Sequence, residues 1–388
     1  MGAALVIAGT WKGRRCVTVS NGAMEAVFLP GGGHIASAML ARGKPGGKPG
    51  GKAVNPLWEV PWPTMDPEKF VAARDLDNYG GPPEGRLLAS IMGHNLCMDY
   101  FGPPSPEEGR EGWTVHGEAS LAEYAVEQSP GAIDARTTLV RAGLRVRRLM
   151  TPAAEGAVLK VETLVTNTGP ARSIGWQEHA TFGPPFVAGG AMVTDANAGW
   201  GQVDPNEPAS AHRMKAGAEF TWPALPLSAG GTTDIRPFPS GGSSGDFSTQ
   251  LMDPSAEWAW FTCVNARLGL LAGYIWPRAE FPWLGMWEEN LARAAKPWSG
   301  RTVTRGLEFG VSPFAHGKAP MLKLKSLRGT PVLAEVPAGG SLRKTFWLFL
   351  AAVPKDCAGV ESAAFAPDGR TISLKLRPGN REIAVSAA

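Results

Sequence analysis

Cysteine and tyrosine are scarce in this chain of 388 residues, with four of each against fourteen tryptophans. The cysteines, Cys16, Cys97, Cys263 and Cys357, lie far apart and form no C-x-x-C pair. That excludes a locally encoded zinc ribbon or thioredoxin-type centre. A chain of this length needs no disulfide staples, so buried free thiols in a reducing compartment are expected. Charge is also sparse, at 19% Asp, Glu, Lys and Arg with a net charge of +3. There is no block of like charge, which argues against nucleic-acid binding. The one arginine cluster, Arg145, Arg147 and Arg148, reads as a solvated strand edge. No apolar run reaches the ~18–20 residues of a membrane-spanning helix, so no membrane partner is expected. The apolar start Met1–Gly9 lacks a basic flank, which disfavours a signal peptide and leaves the cytoplasm as the expected location.

Helical periodicity is nearly absent. Leu291–Ala295 could form one turn, and no strand–helix alternation appears. The segment Gly31-Gly32-Gly33-His34 follows a strand-like run, Met24–Leu29. However, no helix pattern follows it, and G-x-G-x-x-G and G-x-x-x-x-G-K are both missing. A tight hairpin is the better reading than a phosphate cradle. The six histidines show no H-E-x-x-H or H-x-H spacing, so no metal site or other cofactor is expected.

What is abundant is glycine (49) and proline (34), together about a fifth of the chain, with 44% hydrophobic residues. Gly and Pro penalise helix interiors, while the apolar content can fill a large core. An all-β, turn-rich fold follows. Leu159, Val161, Thr163 and Val165 alternate with polar neighbours, the period of a half-buried strand that ends at Asn167-Thr168-Gly169-Pro170. Leu139–Met150 reads similarly, with Arg148 breaking the apolar face. Leu342–Val353 reads as a central strand with Trp347 in the core. Thr371–Leu376 and Glu382–Val385 read as a terminal hairpin. Two low-complexity stretches, Gly43–Lys52 and Pro239–Ser248, read as surface loops rather than linkers. The whole of 1–388 is therefore expected to be one sandwich domain, with 354–388 as a C-terminal hairpin extension.

Three histidines have rich neighbourhoods: His94 in IMGHNLCMDYFGPP, His116 in GWTVHGEAS and His179 in IGWQEHATFGPP. Aromatics, carboxylates and amides, including Asn95, Gln177 and Glu118, crowd these imidazoles. Rings that stack on C–H faces beside groups that bind hydroxyls suit a carbohydrate. Phe281–Phe314 adds Trp283, Trp287 and Trp298 with Glu288, Glu289 and Glu308. Leu307 and Phe309 flank Glu308, so on a strand its carboxylate points away from theirs. If that face lines a cleft, burial would raise its pKa toward general-base range. If it lies on an edge strand, it is simply solvated.

Taken in order, these segments resemble the galactose mutarotase-like superfamily, the aldose 1-epimerase family. The opening SNGAMEAVFLPGGGHIAS and NPLWEVPW are similar to its first hairpins, with Trp58 and Trp62 packing there. IMGHNLCMDYFGPP and HGEAS are similar to its glycine-rich segment and H-G-F-A-R stretch. QEHATFG and RGLEFGVSPF match its strand histidine and late strand glutamate. The likeness spans roughly residues 17–353. It implies a β-supersandwich of large antiparallel sheets with a sugar cleft. It also implies an acid and a base on opposite sides of a pyranose: Glu308 as base, His179 as acid, His116 assisting or binding hydroxyls. Trp283 and Trp287 would be stacking platforms, and Arg86 matches an arginine that contacts sugar oxygens.

The departures are informative. The arginine of H-G-F-A-R is Ser120 here and its phenylalanine is Glu118, which favours a non-phosphorylated sugar over a phosphate. The family's hydroxyl-gripping aspartate has no clear match; Asp234 is the nearest guess. The resemblance thus implies anomer interconversion of a small neutral carbohydrate. The alternatives are a non-catalytic carbohydrate-binding protein on the same scaffold, or a polysaccharide lyase or glycosidase relative, the glycosidase pairing Glu308 with Glu118 or Glu288.

Overall fold

A computed structural model describes residues 4–41, 53–206, 212–379 and 381–388, and its regular structure is mostly antiparallel strand. Among the described residues the longest helix has eight residues, Ala72–Tyr79. Two large sheets face each other, of fourteen and eight strands. In the larger, the consecutive neighbours at the centre are His94–Asp99, Arg172–Phe182, Val303–Gly310, Trp283–Asn290 and Ser244–Met252. The smaller places Ser341–Ala352 between Leu270–Pro277 and Val158–Asn167, the central position expected for Leu342–Val353.

The strand period explains the layering. Trp176, Ala180 and Phe182 from one strand and Leu307 and Phe309 from its neighbour point between the sheets and are fully buried. They meet Phe261, Tyr274, Trp276 and Phe346 of the opposite sheet. Phe309 stacks on Trp276 with centroids 4.3 Å apart. Truncating a ring in such a core costs about 3–5 kcal/mol. The alternate residues of the same two strands, among them Gln177, His179 and Glu308, are thereby sent to the other face of the larger sheet.

Several expectations are corrected. Arg148 is fully buried, not on a solvated edge: it shares the inward face of Leu144–Pro152 with Leu144, Val146 and Met150. Leu139–Met150 is two strands joined by a turn at 140–143, because Gly143 adopts a left-handed conformation there. Leu291–Ala295 is not helical. The Glu289 carboxylate instead accepts the amides of Ala292 and Arg293 and holds the segment as a loop. Ser244–Ser248 belongs to a strand, leaving only the first part of 239–248 as loop. Trp347 is half-buried on the outer face of its sheet, packed on Trp258 and Phe365. The glycine-rich turn at 31–33 does join two paired strands. The loop expected at Gly43–Lys52 lies outside the described residues. The four cysteines are buried and unpaired. The terminal hairpin gains a third strand, Gly359–Phe365, and this small sheet packs its apolar face on Trp260, Val264 and Phe349.

Candidate active site

His179 and Glu308 sit directly opposite one another on adjacent strands. The glutamate strand is central, not an edge, and both side chains are nearly sealed from solvent. His179 Nε2 lies 2.9 Å from Glu308 Oε1. The other imidazole nitrogen, Nδ1, lies 2.9 Å from the Thr181 hydroxyl, two residues along the same face. A hydroxyl can donate or accept, so this contact survives either protonation state of the ring.

Glycines make room for the carboxylate. Gly285 stands opposite Glu308 on the next strand, and Gly306 and Gly310 flank it on its own face. A β-carbon at Gly306 would lie 2.6 Å from Glu308 Oε1, and one at Gly310 would lie 1.8 Å from Gln177 Oε1. The hollow in this sheet is therefore written as missing side chains.

His116 reaches the same place from a loop. Its φ of 68° is a left-handed conformation that costs energy for a non-glycine residue, so the surroundings must enforce it. The Gly102 amide donates to its Nδ1 at 3.1 Å, which assigns the proton of the neutral ring to Nε2. The ring stacks on Phe101 and lies 5.3 Å from that of His179. Burial, then the neighbouring His179 and Arg293, hold its pKa well below the usual histidine range, so it is neutral.

These groups line a cavity of 210 Å³. Trp287, Trp298, Phe101 and Phe247 supply aromatic walls, and Leu87, Leu88, Ile91 and Val115 an aliphatic one. Trp298 belongs to an indole cluster with Trp58 and Trp62 behind the wall. Arg293 lies over Trp298 and Trp287, 4.6 and 5.5 Å from the ring centroids, and is steered by Glu289. Asp204 also lines the cavity; its carboxylate is held by His316 Nε2 at 2.8 Å and by the Asn206 amide. A wider groove of 710 Å³ elsewhere is lined by Arg15, Arg136, Arg145 and Arg147, and its one carboxylate, Glu123, is paired with Arg15. Among the described residues no group of three or more His, Cys, Asp or Glu could hold a metal ion.

The structure thus brings together His179, Glu308, His116 and Trp287. The other sequence-selected residues are placed differently. Asn95 is the cross-strand neighbour of His179, buried, with its carbonyl oxygen unpartnered. Gln177 binds the Glu308 and Ser312 carbonyls through its amide and so braces the glutamate strand. Trp283 is fully buried and donates to the Pro331 carbonyl; it does not line the cavity. Glu118 accepts the amides of Arg141 and Ala142, and Arg86 donates to the Pro67 carbonyl. Both line a separate groove with Trp113. Glu288 is locked by Arg305 and Arg213. Asp234 is bound to Arg236, and it is Asp204 that faces the cavity. Sequence reasoning missed Asp204 and Arg293, because nothing local marks an aspartate in a turn or an arginine in an apparent helical turn.

Behind the floor lies a second polar group. Glu178 points between the sheets, 2.9 Å from both His94 Nε2 and Arg148 Nη2, with Trp176 Nε1 at 3.2 Å. Burial pushes the Glu178 pKa up, but Arg148 and His94 outweigh it and hold the carboxylate ionised. Burial keeps His94 below the usual histidine range, so Arg148 supplies the countercharge.

No protein-family model and no curated protein matches this sequence. Solved structures do. A Klebsiella pneumoniae protein provisionally named an aldose 1-epimerase superposes with a TM-score of 0.58 at 14% identity, over 89% of this chain and 82% of the other. A galactose mutarotase related enzyme from Lactobacillus acidophilus gives 0.53 at 11%, over 87% and 98%. A galactose mutarotase-like protein from Clostridium acetobutylicum gives 0.53 at 12%, over 90% and 99%. These likenesses show the fold: the chain has the β-sandwich architecture of galactose mutarotase-like structures.

Proposed function

We propose that this chain interconverts the anomers of a non-phosphorylated monosaccharide by acid–base ring opening and closure. The observation that carries this is the His179–Glu308 pair, 2.9 Å apart on the floor of a small aromatic-walled cavity. The fold shared with mutarotase-like structures supports it.

In this reading the sugar's anomeric corner inserts between the two side chains. Glu308 takes the proton of the anomeric hydroxyl. His179 gives its Nε2 proton to the ring oxygen as the bond from that oxygen to C1 breaks. Rotation about C1–C2 and the reverse transfers close the ring as the other anomer. Thr181 keeps the imidazole oriented through both states, and His116 offers its Nε2–H to a sugar oxygen.

Charge and size support a single neutral ring. Among the described lining residues the carboxylates Glu84, Asp204 and Glu308 outnumber the one guanidinium, Arg293. That balance disfavours a phosphate dianion. The cavity lies below the ~300 Å³ at which pockets for larger ligands begin, which suits one pyranose.

Anomer exchange measured by NMR magnetisation transfer over a panel of free sugars tests the proposal. Acceleration that His179→Ala and Glu308→Gln each abolish, with unchanged circular dichroism, is the expected result. Sugar binding by calorimetry without exchange would instead make this a carbohydrate-binding protein. No exchange and no binding would end both readings.

A further inference from the structure

The cavity's polar groups are unevenly distributed. His179, Glu308 and His116 occupy one corner, and Asp204, Arg293 and Glu84 are the only other charged groups among the described lining residues. A fully hydroxylated hexose presents polar groups around nearly its whole edge. Yet part of this cavity is bounded by Leu87, Leu88, Ile91 and Val115, all buried and packed into one apolar cluster with Trp58, Trp62 and Trp298.

The four side chains of that wall offer a hydroxyl nothing, and Glu84, which precedes Leu87 and Leu88 in the chain, is exposed. The Leu87 carbonyl accepts the amides of Ser90 and Ile91, at 2.9 and 2.7 Å. The Leu88 carbonyl accepts Trp62 Nε1 at 2.8 Å. These peptide oxygens are bonded into the fold, and the side chains are hydrocarbon.

The wall also starts beside the reacting corner. Val115 precedes His116, whose ring lies 5.3 Å from that of His179. In the acid–base reading, His179 faces the ring oxygen. The carbon on the far side of that oxygen from C1 is C5. Its substituent therefore projects from the same edge of the sugar, next to the His179 and His116 corner.

From this we infer that the substrate is a 6-deoxyhexose, whose C5 substituent is a methyl group seated against Val115, Ile91, Leu87 and Leu88. This rests on the proposed acid–base role of His179 and Glu308. A methyl group fills such a wall with hydrocarbon contact. A hydroxymethyl group would set its oxygen against side chains that offer it no hydrogen bond, and an apolar pocket rejects an added hydroxyl by up to about a hundredfold.

The test compares sugars that differ only at that oxygen: D-fucose with D-galactose, D-quinovose with D-glucose, and L-rhamnose with L-mannose. The expected result is a kcat/KM for anomer exchange about ten- to a hundredfold higher for the deoxy member of any pair that is accelerated. In Val115→Thr, which keeps the shape and adds a hydroxyl, that ratio should shrink severalfold. Equal or reversed preference in the wild-type protein overturns the inference and leaves the acid–base reading standing. An undiminished ratio in Val115→Thr also overturns it, since the wall would not be its source. Acceleration of no sugar at all would instead remove the acid–base reading itself.

Discussion

Glu178 and His179 are consecutive, and the pleat of one strand sends them to opposite faces of the larger sheet. His179 meets Glu308 on the cavity floor at 2.9 Å, and Glu178 meets Arg148 between the sheets at the same distance. His179 is thus mounted on a strand anchored from behind by a buried ion pair reaching to the opposite sheet.

Arg148→Met should destabilise the protein by about 3–5 kcal/mol, because it leaves Glu178 charged and buried without its countercharge. Adding Glu178→Gln should recover much of that loss. Urea denaturation of both single variants and the double variant measures the coupling. Strict additivity would mean that the pair contributes nothing jointly.

Thr181→Val keeps the shape of the side chain and removes the hydroxyl that holds His179 Nδ1. Anomer exchange should fall about tenfold or more, up to the ~10²–10⁴ that a positioned acid or base supplies. The loss should appear in kcat rather than KM. An equal rise in KM with kcat unchanged would assign Thr181 to binding.

Gly306→Ala places a methyl 2.6 Å from Glu308 Oε1 and 3.2 Å from Trp287. The carboxylate must turn away from His179. Exchange should drop at least about tenfold, since misplacing a reacting group by an ångström can cost ~10²-fold. Thermal unfolding should reveal only a modest change. Full activity would show that the glycine hollow is not needed for the pair.

Stability should decline as pH falls below about 6.5. His34 is buried with Nε2 on the Ser120 carbonyl, and burial, with Arg14 adding, depresses its pKa to about 3. The unfolded chain takes up a proton near pH 6.5 and the folded chain does not. The stabilisation is therefore complete above that pH and lost progressively down to about pH 3, at up to ~1.4 kcal/mol per pH unit for this residue. His94 and His116, also depressed by burial, act in the same direction. In His34→Gln the slope of unfolding free energy against pH between 6 and 4 should be shallower. An unchanged slope would mean that His34 is not the group responsible.

Much of this molecule can be read along the chain. Alternation around Leu159–Val165 marked a strand now seen over Val158–Asn167, and the flanking of Glu308 by Leu307 and Phe309 correctly set its face apart from theirs. The likeness of QEHATFG and RGLEFG to a known pattern singled out the two residues that meet. Trp283 and Trp287 show the limit. Both lie on one strand four residues apart, yet only Trp287 lines the cavity, because Trp283 packs under the short hairpin carrying Pro331.

What the sequence by itself determined is the periodic part: two-residue alternation, turn chemistry and apolar content large enough for two sheets. These depend on neighbours in the chain and survive without knowing what lies across the sheet. Tertiary structure alone decided which polar residues are partners. Arg148 became a buried countercharge because Glu178 stands opposite it on another sheet. Asp204, rather than Asp234 or Glu118, reached the cavity because strand order and loop packing, which couple residues far apart in sequence, placed it there. The hollow beside Glu308 likewise exists only where glycines on adjacent strands come into register. That register is a property of strand pairing across the sheet rather than of either segment alone.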